Sequence, residues 1–280
     1  MNPIKSIVVM ASGDGSVAQA VFDAQSKGVL AGLIKIEKVI SDQPDAGVLN
    51  RAKQAGIPAI TLPMKNFANR SEWNRALIDE VDDSNPWLVV SAGFMRILSP
   101  DFVNKFQTIN THPALLPAFP GAHAVADAMA AGVEVTGATV HFVDEGVDTG
   151  EILGQEIVPI APNETATLLY DKVNTAHETL IQKIFPLLKQ GKIRGTVQDE
   201  SKATYWEGRR PEDGQLFPSM TVAEVDRLVR ATTRPYPGAF WMDGQRKAII
   251  WSVSMGHHGP NALPFADGHF TPTEMEWVEE

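Results

Sequence analysis

The sequence predicts an α/β chain with a doubly wound, mostly parallel sheet, followed by a small C-terminal β-rich domain. Three observations carry this. Apolar runs at 6–11, 33–40 and 87–92 have the unbroken character of strands covered on both faces. Helical patterns alternate with them, as βαβ units require. The alternation then stops at Gly191-Lys-Ile-Arg-Gly195, beyond which four of the six tryptophans lie. Residues 1–195 are expected to form one domain and residues 196–280 a second, OB-like or incomplete.

Each element has a local reason. After the strand at 6–11 comes Ser12-Gly-Asp-Gly-Ser16, then a helical pattern from Val17 to about Lys27. That layout aims free amide groups at an anion. It also reads as a plain tight turn, since the third glycine of a dinucleotide fingerprint is missing. A helix over 47–55, a short strand at 58–62 and a helix over 71–81 capped by Ser71 precede the strand at 87–92. Gly93-Phe-Met-Arg-Ile-Leu98 is an apolar loop, able to wall a flat ligand or to cover the core. In Thr108-Ile-Asn-Thr-His112, Asn110 and His112 are two apart and so share one side of a strand end. Pro113 and Pro117 take the chain out of the sheet there. An amide beside an imidazole suits acid/base and oxyanion work, although a polar turn with a satisfied histidine has the same pattern.

A helix over 122–132 follows, and then a strand over 136–143 that puts Thr139 and His141 on one face. Asp144-Glu-Gly-Val-Asp-Thr-Gly150 is an acidic turn whose spacing does not fit an EF-hand loop. One of its carboxylates beside His112 would orient the ring or take up a proton, although a solvated acidic turn has the same pattern. A strand over 151–159 and a long amphipathic helix over 163–190, with Asn163 as cap, complete the core. In the tail, Thr221-Val-Ala-Glu224 is a capping box opening a helix to about Ala231. A hairpin turns at Asp243-Gly244. His257-His258 reads as a surface pair rather than a metal site, because no third ligand is near in sequence.

Composition narrows the function. No cysteine is present, which excludes disulfides, thiolate zinc sites and cysteine nucleophiles. The net charge of -10 opposes a broad nucleic-acid footprint. Met-Asn-Pro-Ile-Lys-Ser lacks the apolar stretch of a signal peptide and no run reaches membrane-span length, so a cytoplasmic protein is expected. Small-molecule partners are expected, without nucleic acid, membrane or metal, and a homodimer is allowed.

These motifs resemble the folate-dependent formyltransferase superfamily. Ala11–Ser16, Ala92–Leu98, Asn110–Pro117, Phe119-Pro-Gly-Ala-His123 and Thr136–Gly150 are most similar to the branch that formylates glycinamide ribonucleotide in purine synthesis. The resemblance implies a Rossmann-like core and 10-formyltetrahydrofolate as co-substrate. It implies a catalytic trio of Asn110, His112 and Asp148. Ser12, Gly13, Asp14, Gly15, Ser16 and Val17 would take the ribonucleotide phosphate, with Pro113 on the acceptor side. Met95, Arg96, Ile97 and Leu98, together with Val143, Asp144, Glu145, Gly146 and Val147, would hold the pterin.

The expected reaction is attack of an amine on the formyl carbon, with Asn110 and a protonated His112 donating to the oxyanion. The tail departs from that branch. Gln198–Tyr205, Arg209–Gly214 and Val229–Phe240 resemble the C-terminal region of methionyl-tRNA and sugar-nucleotide formyltransferases. His177-Glu178 also reverses the branch's usual Glu-His pair, whose Glu grips the ribose. An amino-sugar acceptor is therefore the alternative, ahead of methionyl-tRNA, and a non-catalytic folate- or nucleotide-binding module is the rival from another class.

Overall fold

The computed structural model describes residues 3–256 and 259–278, so the His257-His258 pair lies outside the described residues. The order is β1 (Lys5–Met10), α1 (Ser16–Ser26), β2 (Ile34–Ser41), α2 (Gly47–Gln54), β3 (Ala59–Thr61), α3 (Arg70–Asp82), β4 (Leu88–Ser91), α4 (Pro100–Lys105), β5 (Thr108–His112), α5 (Ala124–Ala131), β6 (Val135–Phe142), β7 (Ile152–Pro159) and α6 (Ala166–Lys189). The tail holds α7 (Val222–Ala231), β8 (Ala239–Asp243), β9 (Arg246–Met255), β10 (Leu263–Phe265) and β11 (Gly268–Val278).

Strands β1 to β7 form one sheet in the order β3-β2-β1-β4-β5-β6-β7. The pairs from β3 to β5 are parallel, and β5–β6 is antiparallel. The strand order reverses between β1 and β4, which is where open α/β sheets bind ligands. A core cluster under this edge joins Val8, Met10 and Val89 to Trp73, Phe94, Leu98, Phe102 and Phe106. Trp73 is fully buried and its indole N–H donates to the Leu62 carbonyl at 2.8 Å, so the ring is anchored as well as packed.

Two cap assignments need correction. Asn69, not Ser71, caps α3, its side chain accepting from the Glu72 N–H at 2.9 Å. Ser71 already sits inside the helix. Helix α6 starts at Ala166 rather than near Asn163, with the Thr165 hydroxyl accepting from the Leu168 N–H at 3.3 Å. Helix α4 had no clear periodic signal because it is six residues long, but Ser99-Pro100 is an N-cap followed by proline at N1.

Packing divides the chain into two units. One holds residues up to 122, 137–158 and 173–205; the other holds 123–136, 159–172 and the chain from 206 onward. Inside the second unit Arg209 pairs with the nearly buried Asp127 at 2.6 Å, and the Thr167 amide and hydroxyl both bond the Thr233 hydroxyl at 3.1 Å. Its four strands lie in the order β10-β11-β9-β8, one fewer than an OB barrel uses. Val225 and Val229 of α7 pack on Ala239, Ile250, Phe265 and Phe270 of that sheet.

Candidate active site

Strand β5 delivers Asn110 and His112 to one side, as period two demands, and ends at Pro113, which has no N–H to give. The β5–β6 register sets Asn110 opposite His141 and His112 opposite Thr139. Thr139 then ties down the proline-rich exit, donating to the Ala114 carbonyl at 2.6 Å and accepting from the Leu116 N–H at 3.2 Å. Asp148 enters from the turn after β6. Its Oδ1 is 3.2 Å from Asn110 Nδ2 and 3.5 Å from His141 Nε2. Its Oδ2 is 3.3 Å from His112 Nδ1 and accepts from the Gly121 N–H at 2.8 Å. The predicted trio is therefore assembled around one carboxylate.

The geometry fixes where protons sit. A carbonyl only accepts, so the 2.8 Å contact between His112 Nε2 and the Phe119 carbonyl places a hydrogen on Nε2. Nδ1 faces the Asp148 carboxylate, an acceptor that holds a proton on Nδ1 whenever the ring is charged. Burial lowers the His112 pKa more than Asp148 and the Phe119 carbonyl raise it. The direction of that shift favours a neutral ring in the resting protein. Burial also works against charge on Asp148, but the His141 and His112 rings and the Gly121 N–H outweigh it and hold this carboxyl at about 2.

Behind β5, His177 donates from Nε2 to the His112 carbonyl at 3.0 Å, and its Nδ1 is buried without a hydrogen-bond partner. Burial takes its pKa down to about 4. A base lowered by folding takes up its proton first in the unfolded chain. Stability is therefore full above about pH 6.5, falls as the pH drops below it and levels off near 4. From this group urea unfolding is expected to lose roughly 2 kcal/mol between pH 6.5 and 4.5, and His177→Gln to lessen the slope to what the lowered His112 contributes. A slope unchanged in the variant would assign the loss to another group.

The other predicted residues have mixed placements. Ser12 lies in the turn after β1, donating to the buried Asp42 at 2.5 Å and accepting from the Met95 N–H at 2.8 Å. Its hydroxyl thus joins two turns. Arg96 likewise turns inward, its Nε 2.6 Å from Asp42 Oδ2. Asp14 is ion-paired with Arg51, which offsets a negative charge inside the predicted anion loop. Gly15 is the N-cap of α1 in the left-handed region and Ser16 opens the helix, so the first-turn amides, Val17 among them, need partners from outside the helix. Gly13 has open space where a Cβ would stand.

Met95, Ile97 and Val147 are exposed apolar side chains on the two predicted pterin loops, available to a flat ring system. Leu98 is buried in the core cluster and Val143 packs against it. Asp144 accepts from Thr149 at 2.7 Å and from the Gly146 N–H at 3.1 Å, which shapes the turn, and Glu145 accepts from Asn104 at 3.1 Å. Pro113 is half-buried at the strand exit.

Sequence reasoning did not single out Asp42, Arg51 or the role of His177. Asp42 and Arg51 carry no motif and act across 30 and 37 residues of chain. The signal for His177 was an apolar-face histidine in a long helix, which many cores share.

Comparison with known proteins agrees with this arrangement. Residues 5–184 match the family described as formyl transferase, and residues 209–274 match its C-terminal domain. The chain is 41% identical over 177 residues to a phosphoribosylglycinamide formyltransferase of Mycobacterium tuberculosis, covering 62% of this chain and 80% of that protein. It is 37% identical over 207 residues to the Escherichia coli protein of the same name, covering 73% and 95%. A glycinamide ribonucleotide transformylase from Symbiobacterium toebii superposes with a TM-score of 0.66 at 32% identity, covering 70% of this chain and 96% of that one. With the Asn110, His112 and Asp148 cluster at the sheet edge and both matched segments in chain order, this chain belongs to the formyl transferase family.

Proposed function

We propose that the enzyme moves the formyl group of 10-formyltetrahydrofolate to the primary amine of glycinamide ribonucleotide, a step of purine synthesis. The observation that carries this reading is Asp148 held within 3.2–3.3 Å of both Asn110 and His112. The donor's pterin would lie against Met95, Ile97 and Val147, and the acceptor phosphate at the first turn of α1. The amine nitrogen bonds to the formyl carbon and the carbonyl oxygen takes the negative charge. Asn110 Nδ2 donates to that oxygen, a kind of interaction worth about 3 kcal/mol of barrier. His112 Nδ1 accepts the proton released by the amine, and Asp148 stabilises the ring once charged. The positive charge of that imidazolium then offsets the charge on the oxyanion. Collapse breaks the bond to the folate nitrogen, which leaves with that proton.

The second reading is N-formylation of a nucleotide-linked amino sugar. It is favoured by the match of residues 209–274 and by Glu178, which is exposed and bonded by Gln182 rather than held at the site. Turnover of 10-formyltetrahydrofolate with glycinamide ribonucleotide, run beside dTDP- and UDP-amino sugars, separates the two. The expected result is a kcat/KM at least about a hundredfold higher for the ribonucleotide. Turnover confined to an amino sugar would overturn the proposal. Small molecules are the partners in this reading and the cytoplasm the location; among the described residues no helix is long and apolar enough to cross a membrane. Sedimentation velocity decides between a monomer and a homodimer.

A further inference from the structure

Residues 185–208 fall between the two matched family segments. Part of this stretch nonetheless reaches the centre of the candidate site. Thr196 exchanges two backbone hydrogen bonds of 2.8 Å with Ile152, fixing the entry of the segment beside β7. Gln198 Nε2 then donates to the carbonyls of both Asp148 and Gly150 at 2.7 Å. Six residues later the Thr204 hydroxyl accepts from the Phe119 N–H at 3.0 Å, where Ala118 and Thr204 also form a parallel bridge.

The two places it grips are special. Asp148 has φ 57° and Phe119 φ 54°, two of only three non-glycine residues with positive φ among those described. Such backbones persist only where surrounding contacts enforce them. They carry the two groups that flank His112: the Asp148 carboxylate at Nδ1 and the Phe119 carbonyl at Nε2. The segment buries little of its own. Val197 is 77% exposed, and Thr204 is exposed as well. Its grip is polar and local, so its absence would loosen these two loops more than the core.

We infer that residues 196–204 form a strap whose Gln198 and Thr204 are positioning residues, one for the Asp148 carboxylate and one for the orientation and tautomer of His112. This rests on the roles proposed above for His112 and Asp148. Thr204 acts through the Phe119 peptide: its N–H is held by the hydroxyl and its carbonyl by the ring. A displacement of about 1 Å in such a constellation is enough to cost on the order of a hundredfold in rate.

The test uses the full chain with Gln198→Ala, Thr204→Val and Thr204→Ser. In the two strap-breaking variants kcat is expected to fall at least about tenfold, KM for the acceptor to stay within about threefold, and the acid limb of the pH–rate profile to move. Thr204→Ser, which keeps the hydroxyl, is expected to stay within about twofold of the parent. Histidine ¹⁵N spectra give a readout that needs no substrate: the parent should show His112 protonated at Nε2, and Thr204→Val a mixture of tautomers. A kcat within about twofold in both strap-breaking variants, with an unchanged His112 tautomer, would overturn the strap. So would loss of the whole fold in both, since the segment would then be holding the core. A parent that turns over no ribonucleotide fails the proposed function instead, and the spectra still decide the strap.

Discussion

Replacing Asp148 with asparagine is expected to lower kcat by on the order of a thousandfold while the protein stays folded. The carboxylate faces Asn110, His112, His141 and the Gly121 N–H at once. Asparagine keeps its shape and tolerates a left-handed backbone, so the loop should survive the exchange. The charge does not. Without it only the Phe119 carbonyl offsets the burial of His112, and a ring already lowered in pKa resists taking the amine proton. Because the parent carboxyl titrates at about 2, Asp148 is ionised throughout the neutral range, so the rate loss should persist at every pH from 5 to 9. Single-turnover rates on folded variant, with a thermal melt as control, make the check. A rate within about tenfold of the parent would remove Asp148 from the chemistry.

Gly150→Ala should destabilise the protein by at least about 2 kcal/mol and abolish turnover with it. A Cβ at this position would stand 1.8 Å from the Phe142 carbonyl oxygen and 2.7 Å from its carbon. Both are backbone atoms at the end of β6, so no side chain can swing aside. The closing turn would have to move outward, taking with it the Asp148 and Gly150 carbonyls that Gln198 holds. For a chain of this size the melting temperature should drop by about 4–8 °C. An unchanged melting temperature would mean that the β6 end is more pliable than its position in the ladder suggests.

Most of the parallel sheet was legible, because strands covered on both faces leave apolar runs that polar helices interrupt. Asn110 and His112 were legible for a geometric reason, the period of a strand, and Asp148 through the family pattern it belongs to. The state of His112 was not. It depends on burial in the folded chain and on the carbonyl of Phe119, seven residues away, and neither is written in the residues around it. Ser12 and Arg96 were legible as site-edge residues, but their inward turn onto Asp42 depends on a buried carboxylate from another strand end. Asn69 displaced Ser71 as a cap because two capping types stood two residues apart, and only the helix register chooses between them. The segments 123–136 and 159–172 group with the tail through pairs such as Arg209–Asp127, which join residues 82 apart.

The left-handed backbone of Asp148 also narrows what variation can explore at this position. With φ 57°, asparagine and glycine are the side chains that fit as readily, and neither carries a negative charge. Glutamate, ordinarily the conservative exchange for aspartate, keeps the charge but brings a bulkier side chain into a region that disfavours it. In a saturation library at codon 148, aspartate should therefore stand alone as an active solution, with no neutral path leading away from it through single substitutions.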